Sequence, residues 1–203
     1  MPPQGTAYNV DWILSNTSNA HVATDRAWFS TYTPFLTKVA TMLGGEPSVD
    51  IHGIGTVVLP TRTYLDGKSH KPSGEITLHH VLHAPQGPVN IIATQREDLI
   101  FQFGKGVTPI TKTGSNKVLG LVVCSKLFKL WLKGQSQNQS SLDPDGLYYI
   151  HASWPKSEVV RFNNHVTELN NQRPIKADQA TSFTEEEHKF LKKHYGGKFK
   201  FLM

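Results

Sequence analysis

The sequence predicts an all-β body followed by a C-terminal α-helix. The 16 glycines and 12 prolines are spread along the 203 residues, which favours many turns. Short apolar or alternating runs recur between those turns, and an apolar fraction of 38% can bury a core. Strands this short and this regularly spaced are typical of a small barrel or sandwich.

The strands can be placed by their alternation and by the turn residues that bound them. They are predicted at 10–14, 48–62, 75–83, within 89–98, as three strands within 99–132, and at 147–155. Gly53 and Gly55 lie inside the second of these, where glycine indicates a bulge or a bend. A polar turn at 15–19 leads into 21–35, whose large aromatic residues we expect to pack onto the sheet through one short helical turn.

The chain is predicted to divide into a β domain at 1–155 and a polar linker with a helix at 156–203. The helix is expected at 184–197. Thr184 as the N-cap and Glu187 three residues later form a capping box. Acidic residues in the first turn and basic residues near the end match the helix macrodipole.

Composition also limits the partners and the compartment. The formal charge of +5 is mild and the basic residues are scattered, so a solvated surface is favoured and nucleic acid is not expected as a partner. The single cysteine, Cys124, excludes a disulfide within the chain and favours a reducing compartment. The first ten residues lack the pattern of a secretory signal, and no apolar run reaches the roughly 18 residues of a spanning helix. We therefore expect an intracellular protein, cytoplasmic or nuclear, without membrane attachment.

Five motifs follow one another along the chain. They are "WILSNTSNAH", "IHGIGTVVLP", "ITLHHVLHAPQGPVNIIATQ", "KVLGL" and "GLYYI". In this order they resemble the protease segment of copia-type retrotransposon Pol polyproteins, in particular a fungal lineage of them, in which the first motif has the pattern W-x-L-D-S-G-A-S-x-H. The likeness covers residues 10–152. It implies that the all-β body is a small closed β-barrel of the retropepsin type.

The resemblance also implies an aspartic protease, whose active site this chain has lost. Retropepsin-like proteases are homodimers in which each subunit supplies one Asp, and the two close carboxylates share a proton. Here Ser15 stands in the Asp position, Asn16 in the Ser position, Thr17 in the Gly position and Ser18 in the Ala position that follows. A serine hydroxyl cannot replace a shared-proton carboxylate, and Asp11 lies four residues upstream on the strand. We therefore expect no aspartic protease activity and no catalytic residue in this degenerate loop.

A cleft on the barrel is still a candidate site for a ligand. The residues expected to line it are Ser15, Thr17, His21, His52 and His83. Ser15 as a nucleophile would need His21 as its base. The family keeps a histidine at the position of His21 beside its Asp chemistry, which favours a structural role in which His21 donates to a loop carbonyl.

The histidines of "HHVLH" are the other candidate chemistry. Strand alternation places His79 and His83 on one face and His80 on the other. These residues could converge with His52 or His21 on a metal, but the resemblance favours a packing role for His83. We expect neither a metal nor another cofactor.

Three classes of function stay open. The one predicted is a catalytically inactive retropepsin-like domain that acts as a binding or dimerisation module, with an extended peptide held in the former substrate groove by strand addition. The alternative is a domesticated enzyme that uses the cleft for non-proteolytic chemistry on a small molecule. Nucleic-acid association through the lysine-rich stretches 126–133 and 189–200 would give a salt-sensitive affinity. The family implies a homodimer, whereas a tail that covers the interface edge would make a monomer.

Overall fold

The computed structural model describes residues 5–41, 48–65, 74–96, 98–124, 126–143, 145–148, 150–172 and 185–195. The chain divides into two compact units, Met1–Val159 and Val160–Met203. The helices are α1 (Thr6–Asn9), α2 (Lys156–Gln172) and α3 (Glu185–Tyr195). The strands are β1 (Trp12–Ser15), β2 (Val22–Ala23), β3 (Phe29–Ala40), β4 (Ser48–Thr61), β5 (Gly74–His83), β6 (Asn90–Ala93), β7 (Leu99–Phe101), β8 (Gly106–Lys112), β9 (Val118–Cys124) and β10 (Phe128–Leu130). Within these described ranges, no helix has the length and apolarity needed to cross a membrane.

The fold is mostly β, as predicted, and the described strands form one sheet. Its order is β3-β4-β5-β2-β6-β1-β10-β9-β8-β7. The pairs β1–β6 and β2–β5 are parallel, and the other neighbours are antiparallel. Because β1 lies between β6 and β10, the polar turn that follows β1 emerges from the middle of the sheet.

Main-chain bonds also connect parts of the sheet that are not neighbours in the strand order. The amide of Arg62 donates to the carbonyl of Trp131 over 2.9 Å, and the amide of Lys133 donates to the carbonyl of Pro60 over 3.0 Å. These bonds join the end of β4 to the segment that follows β10, around an isolated bridge between Thr61 and Leu132. In the described part of the chain β3 and β7 are still the outer strands. Closure of the predicted barrel therefore stays a prediction.

The main core is built from the inward side chains of most strands. Its fully or almost fully buried members are Trp12, Leu14, Ala23, Trp28, Phe29, Val57, Leu59, Ile76, Leu78, Val81, Ile92, Ile110, Val122, Leu130 and Leu132. A smaller cluster consists of Leu121, Val123 and Trp131. Strand β9 contributes Val122 to the first cluster and its two neighbours to the second, because successive side chains of a strand point to opposite faces.

One local prediction is confirmed. A 3-10 turn at Arg26–Trp28 delivers Trp28 and Phe29 into the main core, as expected for the aromatic segment 21–35. The register between β4 and β5 does shift between Gly55 and Val57, but the extra residue lies on β5 and not in the glycine-containing strand β4, where the bulge or bend was predicted. At Gly55 a side chain has no room, since an added Cβ would lie 1.9 Å from the carbonyl oxygen of Thr31.

Three predictions of secondary structure are wrong. The range 99–132 contains four strands rather than three. In the range 147–155, the described residues form only a single bridge at Ser153 rather than a strand. The polar stretch from Lys156 is helical through Gln172 instead of being a linker. The helix predicted at 184–197 agrees with α3, but Thr184 and its cap lie outside the described residues.

Candidate functional site

The degenerate loop begins in the middle of the sheet. Ser15 is the last residue of β1 and pairs in parallel with Ala93 of β6. Its side chain is buried, with 1% of the residue exposed, whereas Asn16 and Thr17 are exposed at the tip of the loop. Ser15, which the resemblance aligns with a catalytic Asp, is therefore not open to a substrate.

Hydroxyl groups hold the loop together. The hydroxyl of Ser18 lies 2.8 Å from that of Ser15, and the Thr17 hydroxyl lies 3.3 Å from the same Ser15 oxygen. Ser18 Oγ also lies 3.0 Å from the carbonyl oxygen of Ile150. A hydroxyl has one proton, so Ser18 can donate to Ser15 or to Ile150 but not to both at once.

A segment from the end of the β domain covers this loop. We call residues 150–154 the cover segment. The amide of Ala152 donates to Ser18 Oγ over 2.9 Å, and the carbonyl of Ala152 accepts from the amide of Asn19, also over 2.9 Å. Further along, Ser153 and Ala40 exchange two main-chain bonds of 2.8 and 3.0 Å. The cover segment is thus bonded both to the loop and to the end of β3.

Asn19 binds the cover segment as a strand partner would. Its Oδ1 accepts from the amide of Trp154 over 2.7 Å, and its Nδ2 donates to the carbonyl of the same residue over 3.0 Å. The Trp154 side chain is 3% exposed, and its indole nitrogen lies 3.3 Å from Oγ1 of Thr37. Thr37 in turn donates to a carboxylate oxygen of Glu158 over 2.6 Å. Trp154 is therefore the side-chain anchor of the cover segment.

His21 is held within the sheet by its ring and its main chain. The residue is fully buried, and its Nδ1 accepts from the amide of Ala93 over 3.0 Å. Its main-chain carbonyl accepts from the amide of Leu82 over 2.9 Å. A ring nitrogen occupied by a backbone amide cannot take a proton from Ser15.

The other two candidate histidines meet on the β3–β4–β5 part of the sheet. The rings of His52 and His83 lie 6.1 Å apart, and Nδ1 of His83 lies 2.9 Å from the hydroxyl of Tyr32. The Tyr32 ring lies over Gly53, where an added Cβ would be 2.2 Å from it. The guanidinium of Arg26 lies 4.0 Å from the centre of the Tyr32 ring, a cation–π contact.

The charges around His83 favour its neutral form. Burial lowers the pKa of His83 below its usual 6.5, and the nearby His52 and Arg26 lower the pKa further, whereas Asp25 opposes them. Burial raises the pKa of Tyr32, and Arg26 partly offsets that rise. A neutral imidazole at His83 can accept from the Tyr32 hydroxyl, which makes this pair a stable polar contact at neutral pH.

The prediction that His79 and His83 share a face is wrong. The register runs from the pair Val57–Leu78 to the pair Gly55–Val81, so β5 has one residue more than β4 between them. His80 has a φ of 53° within this bulge. An extra residue reverses the alternation of side chains, and accordingly His79 is exposed while His83 is buried.

Four of the five predicted cleft residues fall into two contact groups, whereas the ring of His21 accepts from the amide of Ala93. Ser15 and Thr17 contact each other and Ser18 under the cover segment. His52 and His83 contact each other beside Tyr32. In the described ranges, no group of three or more His, Cys, Asp or Glu side chains is placed to hold a metal ion.

Sequence reasoning missed the residues that organise both groups. Asn19 and Trp154 carry the bonds of the cover segment, and Arg26 and Tyr32 surround His83. The one local sign that the cover segment has an anchor was Trp154 followed by Pro155, in a polar region of the sequence. Ala152 and Trp154, to which Asn19 is bonded, lie more than 130 residues away, so the sequence offers no spacing that would reveal these bonds.

Comparison with known proteins bears on the β domain. Residues 12–98 match a family model described as "Pol polyprotein, beta-barrel domain". This match supports a domain derived from a retrotransposon Pol polyprotein for that part of the chain. No curated protein and no solved structure matches the chain.

Proposed function

We propose that this chain carries a catalytically inactive, retropepsin-like domain of the copia type and of fungal origin, which acts as a binding or dimerisation module. One observation carries the proposal. Ser15, which stands in the position of the catalytic Asp, is buried and hydrogen-bonded to Ser18 beneath the cover segment. Both the carboxylate and the access that aspartic proteolysis needs are missing at this position.

The same geometry argues against a serine hydrolase in the loop. A nucleophilic serine needs a base within hydrogen-bond reach that is itself oriented by a third group. The Ser15 hydroxyl is instead bonded to Ser18 and Thr17, and Nδ1 of His21 is occupied by the amide of Ala93. The alternative of cleft chemistry on a small molecule has only the His52–His83 contact in its favour.

Binding does not require the lost carboxylates. An extended peptide can add to a sheet through main-chain bonds, and the described sheet has outer strands at β3 and β7. The same edges could join two copies into a homodimer, and closure of the sheet into a barrel belongs to the same proposal. The single Cys124 is consistent with a reducing compartment within the cell.

The proposal is tested by a hydrolysis assay together with a binding screen on the full chain. Wild-type protein is incubated with a peptide library between pH 3.5 and 8, and cleavage is followed by mass spectrometry. We expect no cleavage, but retention of extended peptides on immobilised protein. Sedimentation velocity over a hundredfold concentration range reports dimerisation separately. Cleavage with an acidic optimum that stops when Ser15 is replaced by Ala would overturn the proposal. Retention of no peptide and a monomer at every concentration would also overturn it.

A further inference from the structure

The cover segment lies in its groove in the way that an extended peptide ligand lies in a binding site. Its main chain is bonded at three successive residues, Ala152, Ser153 and Trp154. The partners are the side chains of Ser18 and Asn19 and the main chain of Asn19 and Ala40. Such bonds depend little on sequence, and they are the bonds by which strand-addition sites hold peptides of different sequence.

One side chain gives the groove its selectivity. Trp154 is almost fully buried and its indole nitrogen reaches Thr37, so a large aromatic group with a donor fits this position. Buried tryptophans of this kind are frequent anchors of peptide and protein interfaces. The residues before it, Ala152 and Ser153, are small, and Pro155 follows.

The hydrogen bonding of the cover segment is incomplete. Nδ1 of His151 is buried without a hydrogen-bond partner among the described residues. A buried polar atom without a partner loses its hydrogen bonds to water, which reduces the net stability of the covered state. Within the described residues, the cover segment makes a single isolated bridge to the sheet, at Ala40, rather than a continuous ladder.

From these contacts we infer that the groove formed by Ser18, Asn19, Thr37 and Ala40 is a peptide-binding site, which the cover segment blocks in cis. Its ligand is an extended segment of another chain that carries two small residues followed by tryptophan. This inference rests on the proposed function of a non-catalytic binding module and names its site and its ligand class. Displacement of the cover segment is then the step that regulates binding.

The test uses the peptide acetyl-Ile-His-Ala-Ser-Trp-Pro-Lys-amide and the full chain. Trp154→Ala removes the anchor of the cover segment in cis, while the peptide supplies a tryptophan in trans. A blocked site lowers the apparent affinity in proportion to the fraction of protein in which the site is open. In calorimetry we therefore expect the peptide to bind Trp154→Ala at least about tenfold more tightly than it binds wild type. The matched peptide with Ala in place of Trp should not bind. Asn19→Ala added to Trp154→Ala should abolish binding, since it removes both bonds from the Asn19 side chain to the main chain of the tryptophan.

A second measurement avoids dependence on the folding of the variant. In wild-type protein, an excess of the peptide should speed hydrogen exchange at the amides of Ala152, Ser153 and Trp154, because displacement exposes them. Unchanged exchange in the wild type, or no binding to a folded Trp154→Ala variant, would overturn the inference. Equal binding to wild type and Trp154→Ala that survives Asn19→Ala would place the peptide elsewhere, and would overturn the inference while leaving the binding module intact. Hydrolysis of the peptide would instead contradict the proposed function.

Discussion

The carboxylate of Asp11 and the ammonium of Lys129 form a buried ion pair, with 3.7 Å between Oδ1 and Nζ. Their side chains are 1% and 8% exposed. Oδ2 of Asp11 accepts from the hydroxyl of Ser140 over 2.5 Å and from the amide of Ser141 over 3.1 Å, and Lys129 donates to the carbonyl of Gln139. The pair thus joins the start of β1 to β10 and holds the polar loop after β10 against both.

We expect Asp11→Asn to destabilise the β domain by about 3 kcal/mol, because it leaves the Lys129 ammonium buried without a counter-charge. The double variant Asp11→Asn/Lys129→Met should recover a large part of that loss, since it removes the orphaned charge as well. Urea unfolding of Asp11→Asn, Lys129→Met and the double variant measures the coupling free energy between the two side chains. The exposed pair Lys38–Asp50 is the matched control, with side chains 71% and 60% exposed. Asp50→Asn should cost less than about 1 kcal/mol. An equal loss at both pairs would contradict the role of burial.

The sequence carried local signals for several of the strands but none for the bonds of the cover segment. Alternation and the bounding turn residues predicted β4 and β5, because those signals are local. The helix α2 also had a local signal that composition obscured, namely apolar residues spaced by three, four and three positions at 159, 162, 166 and 169. The extended stretch before Pro155 was mistaken for a strand because its bonds go to Asn19 and Ser18, which only the tertiary fold brings close.

The bulge in β5 shows a second limit of sequence reasoning. Two adjacent histidines with β-strand neighbours give no sign that one of them adopts a positive φ, a conformation that residues other than glycine rarely take. The bulge reverses the alternation, and so it decides which histidine is buried. The assignment of His79 and His83 to one face failed for this reason alone.

Gly55→Ala should destabilise the protein by about 3 kcal/mol, because the added methyl group would collide with rigid backbone and not with a mobile side chain. The nearest atom is the carbonyl oxygen of Thr31, which would lie 1.9 Å from a Cβ added to this glycine. Gly104→Ala is the control, since its Cβ would meet only Thr108 Cγ2 at 3.4 Å. Thermal unfolding of both variants by circular dichroism checks the difference. A loss at Gly104 as large as that at Gly55 would mean that the close approach at the bulge is not the cause.

Stability should fall as the pH drops below about 6.5, because the pKa of His83 is lower in the folded protein than its usual 6.5. Above 6.5 both states have a neutral imidazole, so the stability is fully present. Between 6.5 and the lowered folded-state pKa, the unfolded chain binds a proton that the folded protein does not, and the free energy of unfolding decreases. Urea unfolding at several pH values measures the slope.

The His83→Gln variant tests the assignment of that slope to His83. It should show a shallower dependence on pH than the wild type, whereas His79→Gln, at an exposed position of the same strand, should leave the slope unchanged. The titration of His83 can also be followed directly by NMR, where its midpoint is expected below 6.5. A midpoint above 6.5 would show that an anionic neighbour outweighs burial, His52 and Arg26.

Ser15→Asp introduces the residue type that the proposed retropepsin-like ancestry implies at this position, and we expect it to destabilise the protein without creating protease activity. The carboxylate would take the place of the Ser15 hydroxyl, in a residue that is only 1% exposed, next to the hydroxyls of Ser18 and Thr17. Burial favours the neutral acid, so the loss should be about 2 kcal/mol at pH 7.5 and smaller at pH 4.5. Ser15→Asn is the matched neutral control and should show no such dependence on pH. Urea unfolding at the two pH values, with a peptide-cleavage assay on the same samples, makes the measurement. If Ser15→Asp were as stable as the wild type at pH 7.5 and cleaved peptides, the loop would be open to solvent and the cover segment would not exclude substrate.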